Sequence, residues 1–254
     1  MKWTYMENMN IKRIDIDEVD STNNYIKNLI SSGLSLPGFT LVVARHQTAG
    51  RGMRGNSWKT QPGKNVIFSL LCHPDFLMAN RQFLMSEMIA LSIFHACAEY
   101  VADVSIKWPN DIYCGDEKVC GILIECDLNG KYVSNCILGC GVNVNQTEFE
   151  SDIPHPTSLM LKSGRLIDRE EVLASIIRHF CKYYIMAENG DWDAIDKEYF
   201  GSLYRCVGMH RFEDESGVFN AAIERVEPGG HMLLRDETGL LRRYEFKEVK
   251  FVFD

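Results

Sequence analysis

Residues 104–125 have the sequence VSIKWPNDIYCGDEKVCGILIE, in which a polar turn joins two apolar segments with strand character. Lys107 stands in an otherwise apolar segment, and burying an ammonium group alone is costly, so we expect it to be paired or to face a site. Pro109 ends the first segment and fixes the turn. Lys118 follows Lys107 by eleven residues, so a hairpin would place both lysines at one end of a sheet. The alternative is an ordinary hairpin whose lysines extend into solvent.

A loop rich in glycine and arginine, HQTAGRGMRGNSW at residues 46–58, lies between the apolar segments FTLVVA and NVIFSLL. Its glycines let the backbone approach a ligand closely, and Arg51 and Arg54 offer forked donors to a carboxylate or phosphate. The loop is not a P-loop, because Asn56-Ser57 stands where that motif has lysine followed by serine or threonine. A mobile surface hairpin is the alternative. Two lysines facing this loop would repel its arginines, which favours an anionic ligand between them.

Two further polar stretches flank predicted elements. Ser21-Thr22-Asn23-Asn24 precedes an amphipathic helix, where such residues are typical N-caps, although the same groups could bind a polar ring. GCGVNVN, at residues 139–145, carries glycines that permit close approach to a neighbouring strand or a ligand. Asn143 and Asn145 alternate onto one face of that strand.

The rest of the chain predicts a mixed α and β domain followed by a small β domain. Apolar residues recur at three- and four-residue steps over residues 82–102, and again between Asp168, which begins a capping box, and Gly190. The segments IKRIDID and NNYIKNLISS predict a first strand and helix, and DWDAIDKEYF a last helix. Residues 203–254 contain short, evenly spaced strand segments, which are typical of a small β-barrel or sandwich. We therefore place a boundary near residue 202.

Composition restricts the class of protein. The formal charge of −8 argues against broad nucleic-acid binding. No apolar run could cross a bilayer and the start lacks a signal-peptide pattern, so we expect no membrane association and a cytoplasmic protein. The nine cysteines form no Cys-x-x-Cys pair and lie among apolar residues, which predicts reduced core thiols and no structural zinc. We also find no Ser-His-Asp arrangement and no metal cluster.

In combination and in this order, the polar stretches resemble the motifs of the biotin protein ligases. The family pattern has Ser-Thr-Asn, Gly-Arg-Gly-Arg-Arg-Gly, Lys-Trp-Pro-Asn-Asp, Lys-x-x-Gly-Ile-Leu-x-Glu and Gly-x-Gly-Ile-Asn. The corresponding residues here are Ser21 to Asn23, Gly50 to Gly55, Lys107 to Asp111, Lys118 to Glu125 and Gly139 to Asn143. The resemblance implies an α+β fold like that of class II aminoacyl-tRNA synthetases over residues 1–202, with an SH3-like barrel over residues 203–254.

The resemblance also implies an activity: ATP-dependent activation of biotin to biotinyl-5′-AMP and transfer to a lysine of a biotin carboxyl carrier domain. The residues implied for catalysis are Lys118, Lys107 and Arg51. Those implied for biotin are Ser21, Thr22, Asn23, Gln47, Arg51, Gly52, Met53, Lys118 and Gly121. Those implied for ATP are Arg54, Trp58, Lys107, Asn110, Asp111 and Asn143. Mg²⁺ would be carried mainly by the phosphates, with Asp111 nearby and no metal site in the protein itself.

Several expectations depend on departures from the family pattern. Met53 replaces an arginine of the glycine loop and cannot neutralise an anion, so adenylate retention could be weaker. About twenty residues precede Ser21, too few for the helix-turn-helix domain of some members, so we expect no DNA binding and no repressor function. A homodimer is possible. The alternatives are lipoate–protein ligase, whose Arg-Arg-x-Ser-Gly-Gly-Gly loop is absent, and a catalytically silent biotin-binding protein.

Overall fold

A computed structural model describes residues 9–34, 36–150 and 153–253. Its main sheet has seven strands: β1 (Ile11–Val19), β2 (Phe39–Gln47), β3 (Val66–Cys72), β4 (Val104–Lys107), β5 (Asp111–Cys114), β6 (Glu117–Asn129) and β7 (Tyr132–Val142). They lie in the order β1-β2-β3-β7-β6-β5-β4. The β1–β2 pair is parallel, and the other neighbouring strands are antiparallel.

In the described residues five α-helices accompany this sheet: α1 (Thr22–Ser31), α2 (Leu84–Ala98), α3 (Leu159–Ser163), α4 (Arg169–Glu188) and α5 (Trp192–Gly201). Side chains alternate between the two faces of a strand, so Phe68 and Leu70 join the large core that includes α2 and α4. Leu71, one residue later, instead packs with Ile26 of α1 on the opposite face. That opposite face also carries the cavity described below.

The predicted helices are present, and capping residues mark both ends of α4. The Asp168 carboxylate accepts the Glu170 N–H at the start of α4, a cap worth about 1 kcal/mol, and Gly190 beyond its end has a φ of +85°. Helix α2 is shorter than the predicted residues 82–102. Among the described residues, no helix is both long and apolar enough to cross a membrane. All nine cysteines are free thiols and seven are buried, as predicted.

The C-terminal part forms a separate five-stranded sheet. Its strands are β8 (His210–Asp214), β9 (Gly217–Val226), β10 (Met232–Asp236), β11 (Leu241–Tyr244) and β12 (Lys250–Phe251), in the order β11-β10-β9-β8-β12. The mixed α and β domain followed by a small β domain is therefore confirmed. Closure of this sheet into an SH3-like barrel stays a prediction. The boundary at residue 202 also stays a prediction. Beyond it, the Tyr204 N–H still donates a hydrogen bond to the Ile106 carbonyl of β4.

The hairpin predicted between VSIKW and KVCGILIECD is wrong in one respect. A short strand, β5, lies between the two segments, so Lys107 pairs with Asp111 and Lys118 with Tyr113. The register steps from Ile112–Cys120 to Tyr113–Lys118, which leaves Val119 as the extra residue of a β-bulge. The bulge interrupts the alternation of side chains between the two faces of β6, so Lys118 lies on the same face of the sheet as Gly121.

Candidate active site

A cavity of about 690 Å³ lies on the α1 face of the main sheet. Its size falls within the usual range for small-molecule sites. The start of α1, the glycine loop, the β4–β5 turn and strands β6 and β7 all contribute to its walls, as does Phe246 of the C-terminal domain. Every residue predicted for the site lines this cavity except Arg54, whose side chain lies outside the described part of the structure.

Three glycines form the floor of the cavity and allow two side chains to lie directly on the sheet. A Cβ atom at Gly141 would come within 2.1 Å of Trp58 Nε1, and one at Gly139 within 2.2 Å of Asn23 Oδ1. Gly121, the cross-strand partner of Gly141, would place its Cβ 2.8 Å from the Trp58 ring. Any larger residue would displace Trp58 or Asn23, so the glycine pattern of β6 and β7 fixes the depth of the site.

Ser21 and the first residues of α1 make side-chain contacts other than helix capping. Ser21 occupies the N-cap position but its side chain accepts no capping hydrogen bond. Instead Gln47 Oε1 accepts from the Thr22 N–H at 2.8 Å and from Thr22 Oγ1 at 3.0 Å. Ser69 Oγ lies 2.5 Å from Asn23 Oδ1. The Ser21 side chain, which is buried at the cavity wall, is thus left for a ligand.

Arg51 of the glycine loop lines the cavity, but its guanidinium is bound at the rim. It contacts Glu125 Oε1 at 3.2 Å and Asn24 Oδ1 at 2.9 Å. Glu125 also accepts from Lys27 at 2.7 Å and from Asn23 at 2.9 Å. Burial alone would raise the pKa of Glu125, but the hydrogen bonds from Lys27 and Asn23 and the charge of Arg51 hold that pKa below its ordinary value. Glu125 is therefore an ionised partner that the sequence analysis did not assign.

Lys118 lines the cavity beside the Trp58 ring. Its Nζ is 2.6 Å from Asp111 Oδ2 and 5.6 Å from the centroid of Trp58. Its backbone N–H donates to the His155 carbonyl, and its carbonyl accepts from Thr157 N–H, so residues 155–157 add a further wall beside β6. The lysine is fixed by its backbone and held by a single carboxylate.

Lys107 is partly buried in the same cavity wall. Its Nζ donates to the Tyr113 hydroxyl at 3.2 Å. Burial lowers the pKa of Lys107, and the charges of Lys118 and Arg205 act in the same direction, while Asp111 opposes them. Two lysines and an arginine thus converge on one cavity, an arrangement that suits an anionic ligand.

Two buried amides also line the cavity. Asn110 and Asn143 are 4% and 3% exposed. Asn143 Nδ2 donates to the Thr157 carbonyl at 3.0 Å, whereas its Oδ1 has no hydrogen-bond partner among the described residues. Trp58 Nε1 is buried and unpartnered in the same sense. A buried polar atom without a partner is costly, so a ligand that hydrogen-bonds to Asn143 Oδ1 would be favoured, whereas Trp58 Nε1 faces the sheet at Gly141.

The glycine loop itself folds back on its own backbone. Residues Met53–Gly55 form a short 3₁₀ turn, and Gly52 N–H donates to the Asn56 carbonyl at 2.7 Å. Gly52 and Met53 both line the cavity. At the Met53 position the loop presents a thioether in place of a charge. Among the described residues, the cations that line the cavity are Arg51, Lys59, Lys107 and Lys118, and Lys59 is paired with Glu150. Within the described ranges no group of three or more His, Cys, Asp or Glu side chains is arranged to hold a metal ion.

The β4–β5 turn is anchored by a residue that sequence reasoning missed. Tyr199 of α5 is 1% exposed, and its hydroxyl donates to the Pro109 carbonyl at 2.6 Å. Trp108 Nε1 donates to the Gly230 carbonyl at 2.9 Å, which ties the same turn to the C-terminal domain. These contacts hold the turn that carries Asn110 and Asp111 between two domains.

We expect Tyr199→Phe to lower the free energy of unfolding by about 1–3 kcal/mol, because the Pro109 carbonyl loses its buried partner without any change in ring packing. Urea denaturation followed by circular dichroism would measure the change. Tyr132→Phe, at a half-exposed ring, is the matched control and should stay within about 0.5 kcal/mol of the parent. Equal stability of the two variants would show that the Tyr199 hydroxyl does not hold the turn.

Comparison with known proteins agrees with this geometry. The pattern of the biotin/lipoate A/B protein ligase family matches residues 16–143. The bifunctional ligase/repressor BirA of Bacillus subtilis is 35% identical over 233 residues, covering 90% of this chain and 70% of that protein. The biotin–[acetyl-CoA-carboxylase] ligase of Paracoccus denitrificans is 28% identical, covering 87% of this chain and 92% of that protein.

A solved structure gives the same result. The biotin protein ligase from Aquifex aeolicus in complex with biotin and ATP superimposes with a TM-score of 0.78 at 26% identity, covering 95% of this chain and 99% of that one. Because the family pattern spans half of the chain and the Bacillus subtilis protein is 35% identical to it, this chain belongs to the biotin/lipoate A/B protein ligase family.

Proposed function

We propose that the protein activates biotin with ATP to form biotinyl-5′-AMP and transfers the biotinyl group to a lysine of a biotin carboxyl carrier domain. The observation that carries the proposal is the convergence of Lys107, Lys118 and Arg51 on one glycine-floored cavity. The likeness to a ligase solved with biotin and ATP supports the same substrates here.

The first step joins two anions and therefore needs compensating cations. A carboxylate oxygen of biotin attacks the α-phosphorus of ATP, the bond to the bridging oxygen breaks, and pyrophosphate leaves. We assign Lys118, Lys107 and Arg51 to this charge compensation. On ligand binding, Lys118 would leave its ion pair with Asp111 and Arg51 its ion pair with Glu125, and each would contact the ligand instead.

The second step uses the mixed anhydride as an electrophile. The neutral amine of the carrier lysine attacks the acyl carbon, AMP leaves with the bonding pair, and the amine loses a proton as the amide forms. Water would destroy the same anhydride, so it must be excluded until the acceptor arrives. Arg51, Gly52, Met53 and Gly55 of the glycine loop line the cavity, and a loop of this kind is suited to such shielding.

The two ends of the cavity suit the two substrates. Hydroxyl and amide groups at the α1 end could bind the polar ureido ring of biotin; they belong to Ser21, Thr22, Asn23 and Gln47. Gly52, Met53 and Gly121 line the same cavity, Gly121 beneath the Trp58 ring, and stay predictions for biotin. At the other end Trp58 offers a ring for stacking, and Asn110 and Asn143 offer amides to the adenine. Arg54 stays a prediction for the nucleotide. The described part of the chain offers Mg²⁺ no cluster of its own, and Asp111 is bound to Lys118, so the ion would travel on the phosphates.

The proposal is tested by measuring isotope exchange between pyrophosphate and ATP with purified protein and Mg²⁺. We expect exchange with biotin and none with lipoate. A second assay adds a biotin carboxyl carrier domain and measures its mass, with a variant carrier whose acceptor lysine is replaced by arginine as control. Exchange supported only by lipoate would show that the substrate is lipoate and not biotin. Binding of biotin without exchange or transfer would show that the protein is a catalytically silent biotin-binding protein. Cytoplasmic location, homodimer formation and the lack of repressor activity stay predictions.

A further inference from the structure

We propose that the C-terminal β domain positions Lys107 for the nucleotide through Phe251 and Phe253, which complete an aromatic cage around the lysine ammonium. The identity of the anion rests on the function proposed above, whereas the cage is a property of the ligand-free protein. The two phenylalanines would be positioning residues, since they act through Lys107.

Three rings surround the ammonium. Lys107 Nζ lies 4.9 Å from the ring centroid of Tyr113, 5.0 Å from that of Phe253 and 5.4 Å from that of Phe251. Cations within about 6 Å of a ring centroid are attracted to its π face. The rings thus replace much of the hydration that a buried ammonium loses.

The cage is held from outside by the fold of the C-terminal domain. Strand β12 pairs with β8 and places Phe251 in its last position. Phe253 follows two residues later, the spacing that puts side chains on one face of an extended chain. The Phe253 ring is flanked by the Arg205 guanidinium at 5.6 Å and stacks on His155 at 5.2 Å. Arg205 also donates to the Val252 carbonyl at 2.8 Å, which fixes the backbone between the two phenylalanines.

The cage holds Lys107 without neutralising it. The carboxylate of Asp111 is bound to Lys118, so Lys107 is held mainly by uncharged groups. A lysine ammonium has three N–H donors, and the Tyr113 hydroxyl accepts one of them. The charge and two donors therefore remain for an anion. An ion pair in the same place would have to be broken each time the nucleotide bound.

The test compares Phe253→Leu and Phe251→Leu with Phe219→Leu, a control at a half-buried ring of the same domain that stacks on Phe212 instead of Lys107. In pyrophosphate exchange, we expect each cage variant to lower kcat/KM for ATP about tenfold, the effect of one lost cation–π contact. The KM for biotin should change less than twofold, and Phe253→Tyr should restore the parent value. Equal losses for the cage variants and Phe219→Leu, or an equal rise in the KM for biotin, would overturn the proposal.

A second measurement needs no activity. Reductive methylation with ¹³C-formaldehyde labels the lysines, and Lys107→Arg identifies the Lys107 signal in the NMR spectrum of the ligand-free protein. We expect ring currents to shift this signal upfield, and the shift to shrink in both cage variants but not in Phe219→Leu. A Lys107 signal at the position of exposed lysines would overturn the cage. Absence of biotin-dependent exchange in the unaltered protein would overturn the proposed function and leave this readout intact.

Discussion

Lys118→Ala is expected to slow biotin-dependent pyrophosphate exchange by about 10²–10³-fold while the protein stays folded, because one preorganised charge at the reacting groups is removed. The Lys118 Cε lies 3.5 Å from where a Cβ at Gly121 would be, and its β-bulge turns the lysine away from the core. Truncation leaves no void in that core, so unfolding by urea should change little. Initial rates of exchange at saturating ATP and biotin would measure the effect.

The variant also leaves Asp111 without its partner, and this second effect must be separated from the first. Replacing Asp111 by Asn in the Lys118→Ala background removes the unpaired carboxylate. If the loss came from Asp111, the double variant would recover; we expect no recovery. Lys162→Ala is the matched control, because Lys162 forms an ion pair with Glu117 outside the cavity and should keep exchange within about twofold. Parent kinetics for Lys118→Ala would remove this lysine from the reaction.

The sequence was sufficient for the parts of the site that lie within one motif. The glycines, lysines and amides of these motifs predict an anion site, and most of those described line a single cavity, although Gly50 and Asn145 do not. Long periodic segments also predict helices such as α4 close to their observed ends. The short β5 and α3 were missed, since four or five residues carry too little periodicity to show against their neighbours.

The remaining features depend on contacts between residues far apart in the chain. Val119 becomes the extra residue of a bulge only through pairing with β5. Glu125 binds Arg51 across 74 positions, and Tyr199 binds Pro109 across 90. The ring of Phe253 reaches Lys107 only because the C-terminal sheet docks beside β4. These contacts join residues that are far apart in the chain, so local spacing does not predict them. Composition and motifs identify the chemical groups of the site but not the residues that hold those groups in place.

The second large effect is expected from a substitution in the floor of the cavity. Gly141→Ala is expected to lower kcat/KM for ATP about a hundredfold, because the new Cβ would lie 2.1 Å from Trp58 Nε1 and the ring must leave its place. Overpacking of this kind also costs about 1–3 kcal/mol of stability. Exchange kinetics and urea denaturation measure the two effects separately.

Gly38→Ala is the control for Gly141→Ala, because Gly38 is exposed and an added Cβ there meets no atom within 4 Å. It should retain parent kinetics and stability. The double variant Gly141→Ala with Trp58→Ala tests the cause: removing the ring should recover stability, since the clash is gone, but not nucleotide affinity, since the stacking surface is gone as well. Recovery of both would show that the ring only fills space. Parent behaviour of Gly141→Ala alone would mean that Trp58 does not rest on the sheet, and the glycines of β7 would need another explanation.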